Sequence, residues 1–179
     1  MDFYDAYKNL DDMNSVFKEI TYDEFMSMFE KLETGIVLLG GAWCKNAQLV
    51  VPYANKIAKE NKIDVIYNFD FQYVGNFGRP GDLRTGTSLD HRLEYFNIAE
   101  KTGIQSDITV GNTMMPRIPS PTFVGIKNGF CVGYFTVKYQ KNENEDRETL
   151  TDEELADFTN KFLDLKEKIK LDGRLDALK

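Results

Sequence analysis

Residues 36–47 read IVLLGGAWCKNA, and this stretch decides the fold. Its first four residues are a short, continuous apolar run of the kind that is buried on both faces in a parallel sheet, so we predict a central strand over 36–39. Two glycines end that run, and apolar residues then recur at helical spacing from Leu49 to Ala58. Cys44 is therefore predicted to lie where a strand turns into a helix.

The neighbouring segments extend this pattern into a sheet with helices. Residues 64–69 read DVIYNF and predict a second buried strand, which completes a strand–helix–strand unit with parallel strands and a right-handed connection. The motifs TYDE at 21–24 and TDEE at 151–154 are capping boxes that start two further helices. The remaining predicted elements are a first strand near 16–20, a helix at 91–101, and a hairpin of strands 122–126 and 130–135 around Asn128-Gly129.

Composition excludes several classes of protein. A chain of 179 residues with 42% hydrophobic and 13% aromatic residues can bury a core, so whole-chain disorder is excluded. The 29 acidic residues outnumber the 22 Lys and Arg residues, which makes nucleic acid an unfavourable partner. No apolar run is long enough for a membrane span and the first residues are acidic, so we expect no membrane association and a cytoplasmic location.

The two cysteines and one histidine are too few for a disulfide framework or a structural zinc site. We therefore expect no metal and no cofactor. We divide the chain into an N-terminal extension over 1–14, to which we assign no function, and a single domain over 15–179. Within that domain, the chain is rich in glycine from about 71 to 89, which predicts a loop.

Two segments resemble the thioredoxin family. Residues 41–47 are similar to its Trp-Cys-x-x-Cys active site, and Pro52 matches the proline that kinks the helix after it. Residues 121–129, PTFVGIKNG, resemble the family's run of cis-proline, threonine, apolar residues and Lys-Asn-Gly, and Asn68-Phe69-Asp70 resembles its Asn-x-Asp. The resemblance spans about 16–135 and the last helix, and relative to the family residues 1–14 are an extension and residues at about 71–108 an insertion. It implies an α/β, thioredoxin-like fold with a mixed sheet of four to five strands flanked by helices on both faces.

The resemblance also implies the site residues. Cys44 would be the catalytic thiol, and the start of a helix is a place where unpaired N–H groups and the helix dipole stabilise a thiolate. Trp43, Ser120 and Pro121 would bind substrate, with Pro121 in cis and the Ser120 backbone pairing with an extended chain. The supporting residues would be Lys45, Pro52 and Asp70, the last as hydrogen-bond acceptor of the Trp43 indole.

Two departures from the family bear on the chemistry. Ala47 stands where the family has its second, resolving cysteine, and Leu38 stands where it has a buried acid that assists that cysteine. A mixed disulfide on Cys44 would thus have no neighbouring thiol to expel it. Cys131 is no substitute, because the strand that starts at Pro121 should place it roughly 20 Å away, at the far end of the sheet. We expect Cys131 to be a small apolar strand residue.

Two main hypotheses follow, and Ala47 is the feature that separates them. In the first, the chain is a monothiol thioredoxin-like protein in which Cys44 exchanges with a thiol or disulfide substrate, either a protein or a low-molecular-weight thiol, and an external thiol resolves the adduct. In the second, it is a redox-inactive module that binds a peptide or protein partner at the Trp43/Pro121 surface. A third, an accessory protein of peptide export, would need a membrane or secretion context. Whether the chain is an enzyme stays open, with a preference for thiol–disulfide exchange. The oligomeric state stays open as well.

The glycine-rich loop leaves the sheet at the same edge as Cys44, since parallel strands end there. We predict that residues 71–90 wall or cover the thiol, and that Arg79 or Arg84 contacts an anionic thiol compound. His91 is expected to be a surface residue at a helix start.

Overall fold

The computed structural model describes residues 3–70, 89–110 and 116–170. Within these ranges the chain forms five helices and five strands. In chain order they are α1 (Phe3–Ala6), β1 (Phe17–Glu19), α2 (Tyr22–Glu30), β2 (Gly35–Leu39), α3 (Lys45–Glu60), β3 (Ile66–Phe69), α4 (Leu89–Thr102), β4 (Thr122–Lys127), β5 (Phe130–Thr136) and α5 (Asp152–Ile169).

The strands form one mixed sheet in the order β1-β3-β2-β4-β5. β1, β3 and β2 are parallel, with Ile66 of β3 in register with both Phe17 and Ile36. β4 runs antiparallel to β2, pairing Val124 with Val37, and β5 runs antiparallel to β4. The parallel unit predicted around Cys44 and the hairpin are both present. The turn of that hairpin has positive φ at Asn128 and Gly129, as an Asn-Gly turn between twisted strands requires.

Helices cover both faces of the sheet, and β2 shows why. Successive side chains of a strand point to opposite faces. Ile36 and Leu38 pack in a core with residues of α3 and α5, whereas Val37 and Leu39 pack in a second core with residues of α2 and α4. The α/β architecture with a five-stranded mixed sheet between two helical layers is confirmed.

Residues 3–10 contribute to the first of these cores. Phe3, Tyr7 and Leu10 are buried, and the Phe3 ring stacks on Phe17 of β1 at a centroid distance of 4.8 Å. The buried Asn55 of α3 fixes the connection that follows, since its side chain accepts a hydrogen bond from the Val16 N–H at 2.9 Å. Residues 3–10 therefore pack against β1 and α3.

The segment predicted as an insertion contains α4. This helix also packs as an integral part of the fold. Tyr95 and Ile98 of this helix are buried in the second core, and the Tyr95 hydroxyl accepts a hydrogen bond from the Ile118 N–H at 2.5 Å. That contact holds the chain just ahead of Pro121. The division of the chain into extension, domain and insertion stays a prediction.

The charged linker before α5 is held by one arginine. The Arg147 guanidinium donates to both carboxylate oxygens of Glu154 and to the Tyr139 carbonyl. Glu154 also accepts from the Thr151 N–H at 2.9 Å and so closes the predicted capping box. The hydrogen bonds from Arg147 lower the pKa of Glu154 from 4.5 to about 2, and the bonds from Thr151 act in the same direction.

We expect Glu154→Gln to destabilise the protein more at pH 6 than at pH 2.5. Because the folded-state pKa is depressed, the contribution of this carboxylate is complete above its unfolded pKa of 4.5 and is lost as the pH falls towards about 2. Urea denaturation of both proteins at the two pH values measures the difference in unfolding free energy. Glu153→Gln, in the same helical turn, is the matched control. A difference that stays constant between the two pH values would contradict this account.

Candidate functional site

Cys44 is the N-cap residue of α3, and the short loop 40–43 connects it to the end of β2. Its backbone is extended, its N–H donates to the Gly41 carbonyl at 3.0 Å, and its carbonyl accepts from the Gln48 N–H at 2.9 Å. The thiol is half-buried and forms no side-chain capping bond. Cys44 therefore lies at the positive end of the helix, where the first N–H groups have no intrahelical partner.

Ser120 and Pro121 lie against this thiol. The Cys44 Sγ–H donates to the Ser120 carbonyl at 3.4 Å, and the Ser120–Pro121 peptide bond is cis. The approach requires glycine at position 40, where φ is +145° and an added Cβ would lie 2.5 Å from the Ser120 hydroxyl oxygen. The carbonyl that the resemblance assigns to substrate pairing thus holds the thiol proton in the free protein.

Trp43 is fixed by Asp70 across a second glycine. The indole Nε1–H donates to Asp70 Oδ1 at 2.8 Å, which is the contact that the resemblance implies. An added Cβ at Gly41 would overlap both the Asp70 carboxylate and the indole nitrogen. The side chain of Asn68 supports the same loop by donating to the carbonyls of Leu38 and Gly40. The double glycine is thus required on steric grounds at both positions.

The two positions at which the family has its resolving cysteine and the assisting acid are apolar and buried in this chain. Ala47 and Leu38 are fully buried in the first core, with Cys44 packed against it. Cys131 packs against the second core, on the opposite face of the sheet, and its pKa is raised by burial. Both cysteines are free thiols. Cys44 therefore has no thiol partner within the part of the chain that the structure describes.

Residues of the first turn of α3 tie the site to distant segments. Lys45 Nζ binds the Asp146 carboxylate at 3.2 Å and two backbone carbonyls of the linker before α5. Asn46 exchanges two hydrogen bonds with the backbone of Gln140, at 3.0 and 2.8 Å. The Gln48 amide binds residues of the N-terminal segment and of the loop after β2. It donates to the carbonyls of Ala6 and Ala42 and accepts from the Lys8 N–H.

A groove of about 280 Å³ opens between these segments, next to Trp43. Sequence reasoning singled out Trp43 and Lys45 but missed the others, because no local pattern marks contacts between residues 40 or 94 positions apart. The groove is lined by Lys8, Asn9, Ala42, Trp43, Lys45, Gln48, Gln140, Asp146, Arg147 and Glu148.

Tyr7 places a phenol in the buried region near Cys44. Its side chain is 2% exposed, and its hydroxyl has no hydrogen-bond partner among the described residues. Burial raises the pKa of Tyr7 well above its ordinary value of 10, and the electrostatic effects of the nearby Asp70, Cys44 and Glu19 act in the same direction. The group is thus a neutral hydrogen-bond donor. In the sequence, the aromatic character of Tyr7 was the only sign of this buried position.

The remaining predicted residues fall in three places. Pro52 lies inside α3, and His91 lies in the first turn of α4 with a partly buried side chain. Arg79, Arg84 and the loop predicted over 71–90 lie outside the described residues, apart from its last two positions at the start of α4.

The described segments contain no cluster of three or more His, Cys, Asp or Glu side chains that could hold a metal ion. None of their helices is long and apolar enough to cross a membrane.

The topology now decides the architecture. A sheet of order β1-β3-β2-β4-β5 carries a cysteine at the start of the helix after β2 and a cis-proline directly before β4. The fold is thioredoxin-like. This is the architecture that the sequence motifs implied.

Comparisons with known proteins gave structural neighbours only. No family model and no curated protein matches the chain. It is similar to the structure of a candidate oxidoreductase with a thioredoxin fold, at 19% identity and a TM-score of 0.40, covering 68% of this chain and 82% of that one. It is also similar to thioredoxin O2 from Arabidopsis thaliana in the oxidized state, at 16% identity and a TM-score of 0.42, covering 70% and 86%.

We expect Gly41→Ala to break the hydrogen bond between Trp43 and Asp70. The new methyl group competes for the space that both side chains occupy, which should lower the unfolding free energy by about 1–3 kcal/mol. Trp43 is the only tryptophan, so its emission maximum reports the loss directly and should shift to longer wavelength.

Gly35→Ala is the control for this variant. It makes the same change in the unfolded chain, but its Cβ would meet Met28 and Tyr67 at ordinary contact distances of 3.4 Å. An emission spectrum that is unchanged in Gly41→Ala would show that the indole does not depend on this glycine.

Tyr7→Phe is expected to leave the unfolding free energy unchanged or to raise it by up to about 1 kcal/mol. The hydroxyl loses its hydration on folding and gains no partner among the described residues, so its removal recovers that cost. Tyr139→Phe is the contrasting variant, because the Tyr139 hydroxyl donates to Asp157 at 2.6 Å and its removal should cost about 1 kcal/mol. Urea denaturation measures both. A clear destabilisation by Tyr7→Phe would reveal a partner for the buried hydroxyl.

Proposed function

We propose that this thioredoxin-like chain is a monothiol protein of a reducing cytoplasm that performs thiol–disulfide exchange through Cys44. The observation that carries the proposal is the position of the thiol. Cys44 caps the N-terminus of α3 and faces the Ser120 carbonyl ahead of a cis-proline, while a buried alanine occupies position 47. The substrate class is a disulfide or thiol, either of a protein or of a low-molecular-weight compound.

The electrostatics around the sulfur suit an anionic nucleophile. The first turn of α3 has no acidic residue and contains Lys45. The positive end of the helix dipole attracts a thiolate at the N-cap, and no competing side chain occupies the cap. Since the thiolate is the reactive form of cysteine, this position favours attack.

The exchange has two steps. The Cys44 thiolate attacks one sulfur of a substrate disulfide, a bond forms between the two sulfurs, and the other half leaves as a thiolate that takes a proton from water. Cys44 is then oxidised and the leaving half reduced. An external thiol attacks the mixed disulfide in its turn and releases Cys44, because Ala47 supplies no sulfur and Cys131 packs on the opposite face of the sheet.

The second candidate function is a redox-inactive module that holds a peptide or protein partner at the Trp43/Pro121 surface. Two observations favour it. The positions that serve the resolving step, Ala47 and Leu38, are both apolar, and the Cys44 thiol is engaged by the Ser120 carbonyl at 3.4 Å. In that case Trp43, fixed by Asp70, would be a contact surface and Cys44 an unused thiol.

Adduct formation with glutathione disulfide separates the two functions. We expect mass spectrometry of the native protein to show one glutathione adduct on Cys44, formed equally in Cys131→Ser and absent in Cys44→Ser. Reduced glutathione should remove the adduct, and no internal disulfide should form. Cys131 should stay unmodified because burial raises its pKa and so depletes its thiolate. A Cys44 that forms no adduct would exclude the exchange function and leave the binding module.

A further inference from the structure

The groove beside Trp43 is built by two segments that border the sheet's active-site edge. Lys8 and Asn9 come from the N-terminal segment, and residues 146–148 come from the linker before α5. Trp43 and Lys45, the chain neighbours of Cys44 on either side, also line it. Any molecule in this groove therefore lies against the residues that flank the thiol.

Both segments are fastened to the helix that carries Cys44. Gln48 binds the backbone on both sides of Tyr7, through the Ala6 carbonyl and the Lys8 N–H, and also binds the Ala42 carbonyl. Asn46 and Gln140 exchange two hydrogen bonds on the linker side. Four of these bonds lie between 2.7 and 3.0 Å. The shape of the groove is thus set by the first turn of α3.

The charges that line the groove leave one cation and one anion unpaired. Arg147 is neutralised by Glu154, and Lys45 forms an ion pair with Asp146. Lys8 and Glu148 have exposed side chains, and within the described segments neither has an ion-pair partner. A ligand with both a carboxylate and an ammonium group matches this pair, whereas a neutral ligand uses neither charge.

The size of the groove limits the ligand to a small molecule. Ligand pockets are typically about 300–1,000 Å³, and this groove, at about 280 Å³, is just below that range. The volume suits an amino acid or a short peptide.

We propose that the groove lined by Lys8 and Glu148 recognises the disulfides of amino acids or short peptides, pairing Lys8 with the carboxylate and Glu148 with the ammonium group while a sulfur reaches Cys44. This inference rests on the exchange function proposed above and specifies its substrate class. The reaction is the same displacement: Cys44 forms a bond to one sulfur, and the other half of the disulfide leaves as a thiolate.

Four small disulfides that differ in charge test the proposal. They are cystine with both charges, cystamine with ammonium groups only, 3,3′-dithiodipropionate with carboxylates only, and 2-hydroxyethyl disulfide with neither. The rate of adduct formation on Cys44 is followed by mass spectrometry in a Cys131→Ser background. The intrinsic reactivity of each disulfide cancels when the rate of a variant is divided by that of the parent.

Lys8→Gln should slow cystine and dithiodipropionate roughly two- to fivefold, the range of an exposed ion pair, and leave the other two disulfides unchanged. Glu148→Gln should slow cystine and cystamine to a similar degree and spare the other two. Lys56→Gln and Glu60→Gln are the matched controls, because they make the same changes in net charge at exposed positions of α3 outside the groove. They should leave every rate unchanged.

The outcomes distinguish this inference from the function on which it rests. If Cys44 reacts with all four disulfides but the groove variants match the α3 controls, the charge-matching groove is excluded and the exchange function stands. The same holds if the neutral disulfide slows as much as cystine, or if dithiodipropionate and cystamine respond alike to both variants. If no disulfide modifies Cys44 in the parent protein, both proposals fail.

Discussion

The close packing around the loop after β2 is the constraint on which the site around Cys44 depends. The loop after β2 lies so close to Asp70, directly after β3, that Gly41 leaves no space for a Cβ beside the Trp43 indole, and so close to the loop before β4 that Gly40 leaves none beside Ser120. This contact brings the Cys44 thiol to the Ser120 carbonyl. Because β2 is short and is followed by two glycines, α3 can start with its N-terminus against the residues that lead into β4.

The same helix turn organises the periphery of the molecule. Lys45, Asn46 and Gln48 each reach a segment distant in sequence, so that the N-terminal residues and the linker before α5 meet next to Trp43. The thioredoxin-like sheet positions the thiol, and these additional contacts shape what lies around it.

Most of the fold could be predicted because its signals are local. The alternation of Ile36 and Leu38 with Val37 and Leu39, the two capping boxes and the Asn-Gly turn each depend on a few adjacent residues. The location of Cys44 at the start of α3 follows from the same periodicity. The packing of residues 3–10 could not be anticipated, because a short helix among acidic residues has little local signature and is stabilised by tertiary contacts with β1 and α3.

By itself, the sequence determined the order of strands and helices, the position of one thiol at a helix start, and the loss of the resolving cysteine at position 47. Only the tertiary structure decided that Cys131 lies on the other face of the sheet, that the Tyr7 hydroxyl is buried without a partner among the described residues, and that Lys8 and Glu148 line one groove. The physical reason is the distance along the chain over which each kind of interaction acts. Periodicity and capping act over a few residues, whereas these placements arise from packing and from hydrogen bonds that span 40 to 94 positions of the chain.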